Sequence, residues 1–518
     1  MLTKFQQDVV FELIKSMTKS EKRSFRLYAT RLEDSKDAKF LALFDVMDKA
    51  DEYNEDKFLA KSGVSKLQYA NVKNYLFQQL LISLRQNLVE DYEDISLHEQ
   101  IDFARILYSK GMYKQSLKLL NKAKLQAQQK TQNTIALEIV EFEKLIESQF
   151  ITHSSTTRAD ELTNEAEKLS HDIQKANEFS NFSIQLYALY LKRGHVRNQN
   201  DIHFMEDYYQ VHRPKIVVGR VQGLYEQLYM NLSNYWYSYI NQDFLQCYRH
   251  SQRNMTLFDE HPTLRNHLPV LYFKTYNYLL ESFFFLRHYN RYKETLAELE
   301  QALSHLAEQR NTNAEIFANA YYLTGKINLH FFEGSFTEGL PVVPHLLSFL
   351  EAYESKIDPH YIMVFYYKIA CLYFGSGDYK KCISFLNKII DVRDEDIRSD
   401  LQCFARILRL IATYEAGDTE MMEYQIQSTH RFLIKMNDLN IIQKEVLIFL
   451  GKIDTFFRQD IVEKFETLYY KILPYESHPY EKRPFLYLDI ISWLESKIQK
   501  VDIQQIIQKK FQKIAQRQ

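Results

Sequence analysis

The stretch KIACLYFGSGDYKKCISFLNKII, residues 368–390, has the pattern of two helices joined by a short turn at Gly377. Glycine tolerates the left-handed backbone conformation that ends many helices, and the aromatic Tyr379 can cover the apolar side of the turn. The small residues Ala370 and Cys382 stand on either side of the turn, and small side chains let two helices approach closely. The segment therefore predicts a tightly packed helix pair.

The same pattern occurs a second time, in ARILYSKGMYKQSLKLLNKA, residues 104–123. Here Ala104 precedes Gly111, and Tyr113 and Ser116 follow it at the same spacing as in the first stretch. Further predicted turns follow one another at intervals of 40 to 48 residues, with one exception. The first interval is 83 residues, which corresponds to two helix pairs if a degenerate turn lies near 152–154. The predicted turn positions are 111, 194, 242, 290, 334, 377, 417 and 459. Such a period fits two helices of about five turns each plus loops.

The composition excludes most other folds. Only 12 of the 518 residues are Gly and 9 are Pro, about a third of ordinary usage. So few turn-forming residues argue against sandwiches, propellers and barrels, and against Gly-rich phosphate loops. A single helix pair cannot bury both of its faces, and stacking neighbouring pairs does so. We therefore predict an all-α solenoid.

On these residues the chain resembles the tetratricopeptide repeat family. The resemblance rests on the turn Gly377-Asp378-Tyr379 and on Gly111 and Tyr113, with small residues at the helix-crossing positions. The units are longer than the family's usual 34 residues. The resemblance covers about residues 98–475 and implies a right-handed α-solenoid of antiparallel helix pairs that acts as a protein-binding scaffold. In overall style the chain is also similar to helical-repeat proteins of Bacteroidetes-type bacteria.

Three regions are predicted along the chain. Residues 1–92 read as a helical N-terminal domain that ends at an acidic stretch, residues 98–475 as the repeat array, and residues 476–518 as C-terminal capping helices. The last helix is amphipathic, with an apolar face that consists of Ile503, Ile506, Ile507, Phe511 and Ile514. We expect this face to cap the solenoid. The alternative is docking to an acidic partner or a membrane surface.

The sequence contains no motif that indicates catalysis. GxxxxGK(S/T), GxGxxG, HExxH and GxSxG are absent, the 16 His are scattered singly, and the 4 Cys form no CxxC pair. We therefore expect a protein that is not an enzyme and that uses no cofactor and no metal. The beginning of the sequence lacks a signal-peptide pattern and no apolar run has the length of a membrane span, which favours a cytoplasmic location.

The aromatic content indicates where a partner would bind. The chain has 37 Tyr and 35 Phe; most are expected to pack between helices, and some Tyr are expected on the concave side, because Tyr is enriched at binding hot spots. The expected partner is another protein or a peptide in the concave groove. The candidate binding residues, all on predicted first helices, are Tyr229, Asn231, Asn234, Tyr237, Lys274, Asn277, Tyr278, Tyr322 and Lys326.

An alternative function is regulation through contact with nucleic acid. Residues 57–76 resemble a helix-turn-helix, with Lys66 and Lys73 placed to meet phosphates. The N-terminal domain begins with a basic segment, and the C-terminal helix is basic as well. The net charge of −2 argues against a dedicated nucleic-acid binder.

Overall fold

The computed structural model describes ten segments of the chain. They are residues 8–32, 38–88, 92–149, 156–215, 222–306, 311–392, 398–418, 420–457, 459–478 and 489–515. Within these segments 85% of the residues are helical and no strand occurs, so the predicted all-α class is confirmed. None of the helices in these segments combines the length and the apolar character that crossing a bilayer requires.

The chain separates into two compact units, Met1–His171 (unit 1) and Asp172–Gln518 (unit 2). The helices of unit 1 are α1 (Val9–Ser16), α2 (Lys19–Leu32), α3 (Ala38–Lys49), α4 (Glu55–Ser62), α5 (Lys66–Leu88), α6 (Glu93–Ser109), α7 (Tyr113–Gln129) and α8 (Asn133–Gln149). The unit boundary falls within α9 (Thr156–Arg193). The predicted end of the N-terminal domain at residue 92 and the predicted limits of the repeat array at residues 98 and 475 stay predictions.

Unit 2 continues with seventeen more α-helices among the described residues. They are α10 (Gln199–His212), α11 (Leu224–Ile240), α12 (Phe244–Glu260), α13 (Thr263–His267), α14 (Pro269–Phe285), α15 (Tyr289–Leu306), α16 (Thr312–Glu333), α17 (Phe336–Gly339), α18 (Val342–Tyr353), α19 (Pro359–Gly375), α20 (Tyr379–Ile390), α21 (Ser399–Glu415), α22 (Met422–Lys435), α23 (Ile441–Lys452), α24 (Ile461–Ile472), α25 (Ile490–Gln499) and α26 (Ile503–Ala515). Short 3₁₀ turns occupy Glu354–Lys356, Ile453–Thr455 and Leu473–Ser477.

Consecutive helices pack in adjacent pairs, and most predicted turns lie where expected. The residues with a left-handed backbone at these turns have φ between 59° and 84° and are Gly111, Gly194, Gln242, Gly334, Gly377 and Gly417. At five of the six turns the next residue donates its backbone N–H to the carbonyl five residues back; for Met112 and Leu107 the N···O distance is 2.9 Å. This Schellman geometry satisfies carbonyls that the helix end leaves unpaired.

The predicted turn at residue 290 is wrong by three residues. The left-handed residue there is Arg287, with φ of 60°, and Asn290 already lies in α15. The backbone bond from His288 N to Phe283 O, 2.9 Å long, closes the turn earlier than the Asn signal suggests. Gln459 lies in a turn before α24 without left-handed geometry. The degenerate turn expected near 152–154 lies outside the described residues.

The predicted close approach of paired helices is visible at their crossing points. Ser116 Oγ of α7 donates to the Ala104 carbonyl oxygen of α6 at 2.8 Å. Cys247 Sγ of α12 lies 3.8 Å from the Tyr235 carbonyl oxygen of α11, again twelve residues earlier. A larger side chain at these positions would push the paired helices apart, which explains the small residues there.

Replacing Ala370 with Leu is expected to lower the free energy of unfolding by about 1–3 kcal/mol, because overpacking a filled crossing forces side chains and backbone to move. Ala370 is fully buried, as is Cys382 in the partner helix. Urea unfolding monitored by circular dichroism measures the change. Lys380→Leu, at an exposed position of the same pair, is the control. Equal urea midpoints for Ala370→Leu and Lys380→Leu would show that the two helices do not cross closely at Ala370.

The C-terminal helix folds back onto an earlier part of unit 2. α26 packs on α25 and on α16. Gln508 Nε2 donates to the Gly334 carbonyl oxygen at 3.2 Å, and the Phe511 ring centroid lies 4.7 Å from that of Tyr289. Ile503 and Ile506 are buried, whereas the side chain of Ile514 lies outside the described part. The helix thus bridges two segments that are about 170 residues apart in sequence.

Candidate functional site

The interior of unit 2 brings early and late helices together. Tyr187 of α9 contacts His360 of α19, with 3.4 Å between the hydroxyl oxygen and Nε2. The Arg398 guanidinium lies 5.6 Å from the centre of the Tyr190 ring. Side chains of α11, α14, α16 and α19 line a cavity in this interior.

Lys274 lies among three aromatic rings. Its Nζ is 4.7 Å from the ring centre of Tyr187, 5.9 Å from that of Trp236 and 5.8 Å from that of Tyr278. We call these four residues the aromatic box. Burial lowers the pKa of Lys274 to about 8, an effect that the Glu281 carboxylate opposes. The ring faces stabilise the cationic form by cation–π attraction.

Beside the aromatic box lies a cavity of 230 Å³, the interior cavity. Its polar residues include Glu281, Lys368 and Arg398. Its apolar wall includes Phe284, Phe331, Phe336, Val364, Leu401 and Ile503. The last of these belongs to α26, so the C-terminal helix forms part of the cavity wall. A concave space with apolar walls and a few convergent polar groups is the usual form of a ligand site.

The charged groups of the interior cavity are held in different ways. Lys368 Nζ donates to Asn328 Oδ1 at 2.6 Å, and burial lowers the pKa of this lysine. Burial raises the pKa of Glu281, although Lys368 and a hydrogen bond from Tyr235 oppose the shift. Arg398 and Asp400 form a buried two-point pair, with N···O distances of 2.9 and 3.0 Å. Lys368 and Glu281 form no ion pair within 4.0 Å, and the charge of each favours the charged form of the other at longer range.

Cys371 also lines the interior cavity. Burial raises the pKa of its thiol to about 12. The thiol is therefore protonated at neutral pH, and a thiolate nucleophile is not available there.

The nine predicted partner-binding residues all lie in unit 2, but the structure divides them among different contacts. Lys274 and Tyr278 belong to the aromatic box, and Asn277 hydrogen-bonds the Glu281 carboxylate. These three residues are next to the interior cavity. Tyr278 is buried, and its ring stacks on that of Tyr235 with 4.0 Å between centroids.

The other predicted residues make contacts within and between helix pairs. Asn231 Nδ2 donates to Asn254 Oδ1 at 2.9 Å inside the α11–α12 pair. Asn234 Oδ1 accepts from the Tyr209 hydroxyl at 2.6 Å, and the Tyr237 ring lies 4.0 Å from that of Tyr209. The contacts of Asn234 and Tyr237 join α11 to α10, and the contact of Asn231 joins α11 to α12. Each of the three side chains therefore has a structural partner.

Tyr322 and Lys326 form a separate pair on α16. The Tyr322 hydroxyl donates to Glu300 of α15, and Lys326 Nζ lies 4.9 Å above the Tyr322 ring. Tyr229 is half-buried on α11. The nine residues therefore form no continuous surface, and their contact with a partner stays a prediction.

Sequence reasoning missed Glu281 and Lys368, although both carry a readable signal. Each is a lone charge in an otherwise apolar helical run, YLLESFFFL at 278–286 and FYYKIACLYF at 365–374. Because an apolar helix with one charge is usually buried, such a charge is expected to find a partner or a cavity inside the protein. Tyr187 and Arg398 had no comparable signal.

In unit 1, the neighbouring helices α6 and α8 share a surface with both charged and apolar residues. Arg105 pairs with Glu138 across the two helices at 2.8 Å, and Asp102 pairs with Arg85 of α5 at 3.0 Å. A depression of 370 Å³ lies among these residues. Ile106 of α6 is 57% exposed, and Leu145 of α8 is 49% exposed. We call the set Asp102, Phe103, Arg105, Ile106, Glu138 and Leu145 the α6–α8 surface.

The segment predicted to resemble a helix-turn-helix forms α4 and the beginning of α5, with Gly63 left-handed between them. Lys73 Nζ is bound to Asp8 Oδ2 at 2.6 Å and lies over the Tyr69 ring, so it is paired within unit 1. Contact with nucleic acid stays a prediction. Within the described segments no three His, Cys, Asp or Glu side chains come together as metal ligands would.

Comparisons with protein-family models, with curated proteins and with solved structures found no match to this chain.

Proposed function

We propose that the protein is a non-catalytic adaptor that binds another protein through tetratricopeptide-like helix pairs stacked as a right-handed solenoid. The regular left-handed turns and the small residues at helix crossings support the repeat. In an array of such pairs, one helix of each pair faces the concave side, where a partner segment can lie along several repeats.

The observation that carries the proposal is the α6–α8 surface. Phe103, Ile106 and Leu145 are each about half exposed, and the ion pairs Arg105–Glu138 and Arg85–Asp102 lie beside them. The spacing from Asp102 to Arg105 and Ile106, and from Glu138 to Leu145, places these residues on one face of each helix. Exposed apolar side chains with charged residues on the same helices are typical of protein interfaces.

Replacing Ile106 with Asp is expected to abolish capture of the partner, because a carboxylate in the apolar part of an interface loses the buried contact and is left unpaired. The experiment compares proteins retained from cell lysate by the original chain and by the variant, identified by mass spectrometry. Since Ile106 is exposed, the variant's stability should change by less than about 0.5 kcal/mol.

Leu125→Asp is the matched control, because Leu125 of α7 is 50% exposed and lies outside the α6–α8 surface. It should retain the same proteins as the original chain. Retention of the same set by Ile106→Asp, or retention of nothing above background by the original chain, would overturn the proposal.

A further inference from the structure

The interior cavity of unit 2 contains a cationic group, Lys368, that forms no direct ion pair among the described residues, although the Glu281 carboxylate of the same cavity favours its charge at longer range. Among the described residues, no carboxylate oxygen lies within 4.0 Å of Lys368 Nζ, and its hydrogen bond goes to the neutral amide oxygen of Asn328 at 2.6 Å. Removing an ammonium group from water without an opposite charge is costly. An anionic group that entered the cavity and met Lys368 would recover much of that cost.

The size and walls of the cavity limit what such a ligand can be. The cavity measures 230 Å³ and is lined largely by aromatic and aliphatic side chains, among them Phe284, Phe331 and Val364. An apolar cavity of roughly 150 Å³ is large enough for benzene. The interior cavity therefore has room for one ring or a branched aliphatic group together with a short acidic chain.

The acidic groups of the cavity limit the number of negative charges on the ligand. Glu281 and Asp489 line the same cavity, and the Glu281 carboxylate accepts a hydrogen bond from the Tyr235 hydroxyl at 3.3 Å. A ligand with two carboxylates would place one near Lys368 and bring the other toward these carboxylates, where like charges repel, because Arg398 of the same lining is already paired with Asp400. A single carboxylate avoids this repulsion.

We propose that the interior cavity binds a small monocarboxylate with an aromatic or branched aliphatic body, its carboxylate on the ammonium group of Lys368 and its body against the phenylalanines. The apolar body is buried against the cavity wall, and the ion pair is shielded from water. This site lies in unit 2 and does not depend on the protein partner proposed for the α6–α8 surface, so either proposal stands if the other fails.

Calorimetric titration of the full chain tests the ligand class with three matched probes. Phenylacetate has the required ring and single charge, phenylacetamide has the same shape without charge, and phenylmalonate adds a second carboxylate. We expect phenylacetate to bind at least about tenfold more tightly than either of the others. Equal affinity for the amide, or no binding of phenylacetate at millimolar concentration, would overturn the proposal.

Lys368→Met tests the residue, with Lys380→Met as the control, since Lys380 is an exposed lysine on the neighbouring helix α20. Phenylacetate affinity should fall at least about tenfold in the first variant and stay unchanged in the second. An equal affinity in both variants would contradict the role of Lys368.

A measurement on the unaltered protein decides the question if Lys368→Met fails to fold. Residues of α14, α16 and α19 line the cavity. Phenylacetate should slow amide hydrogen exchange in peptides from these three helices, and phenylacetamide at the same concentration should not. A rate that phenylacetate leaves unchanged would contradict binding in the cavity.

Discussion

A chain that ends at residue 501 is expected to lose roughly 4–8 kcal/mol of unfolding free energy in unit 2, because burying a large apolar side chain stabilises by about 1.5–3 kcal/mol. Its missing helix α26 buries Ile503 and Ile506 and packs Ile507 and Phe511 against unit 2. The loss also exposes the surfaces of α16 and α25 that α26 covers, so aggregation should increase.

Urea unfolding followed by tryptophan fluorescence measures this change in unit 2 alone. The chain has two tryptophans, Trp236 and Trp493, and both lie in unit 2. Ile506→Asp in the full chain should reproduce a large part of the loss, since it places a carboxylate at a buried position. Lys509→Ala, at an exposed position of the same helix, should leave the midpoint in place. An unshifted midpoint for the shortened chain would show that α26 does not stabilise unit 2.

Replacing Lys124 with Met is expected to destabilise unit 1 by about 3–5 kcal/mol, the usual cost of removing one partner from a buried ion pair. Lys124 Nζ is 2.7 Å from Glu143 Oε2 and 2.9 Å from Glu165 Oε2. Lys124 and Glu143 are almost fully buried, and burial already raises the pKa of Glu143 against the pull of Lys124 and Arg158. Without Lys124, Glu143 keeps its ion pair with Arg158, whereas Glu165 keeps a hydrogen bond from the neutral Gln128.

Amide hydrogen exchange of peptides from α7 and α8 measures the effect within unit 1. The control is Lys130→Met, which removes an exposed pair with Glu93 and should cost no more than about 1 kcal/mol. The double variant Lys124→Met/Glu143→Met should recover much of the lost stability, because it leaves no uncompensated charge at the centre of the network. A double variant as unstable as the sum of both single changes would contradict this account of the network.

The helix pairs and their turns could be predicted from the sequence because their signals are local. Glycine at the helix end fixes a left-handed turn, and the small residues Ala104 and Ser116 follow from the space between two crossing helices. Where a non-glycine residue adopts the same backbone conformation, as Arg287 does, the local signal is lost. The sequence therefore predicts this turn at residue 290, three residues after its actual position.

The contacts that close the interior of unit 2 could not be predicted in the same way. Gln508 meets Gly334, and Tyr187 meets His360, across about 170 residues of sequence. Contacts at that distance depend on how successive helix pairs are placed against one another, which the sequence of a single pair does not encode. The predicted binding residues therefore included Lys274 and Tyr278 of the aromatic box, but not Tyr187.

The central claim is that the α6–α8 surface of unit 1 binds a protein partner, and hydrogen exchange of the full chain with and without its captured partner tests it most directly. We predict slower exchange in peptides that cover residues 99–109 of α6 and 138–149 of α8 when the partner is bound, with α7 peptides around the exposed Leu125 unchanged. Unchanged exchange in α6 and α8, with protection only in other helices, would contradict the claim.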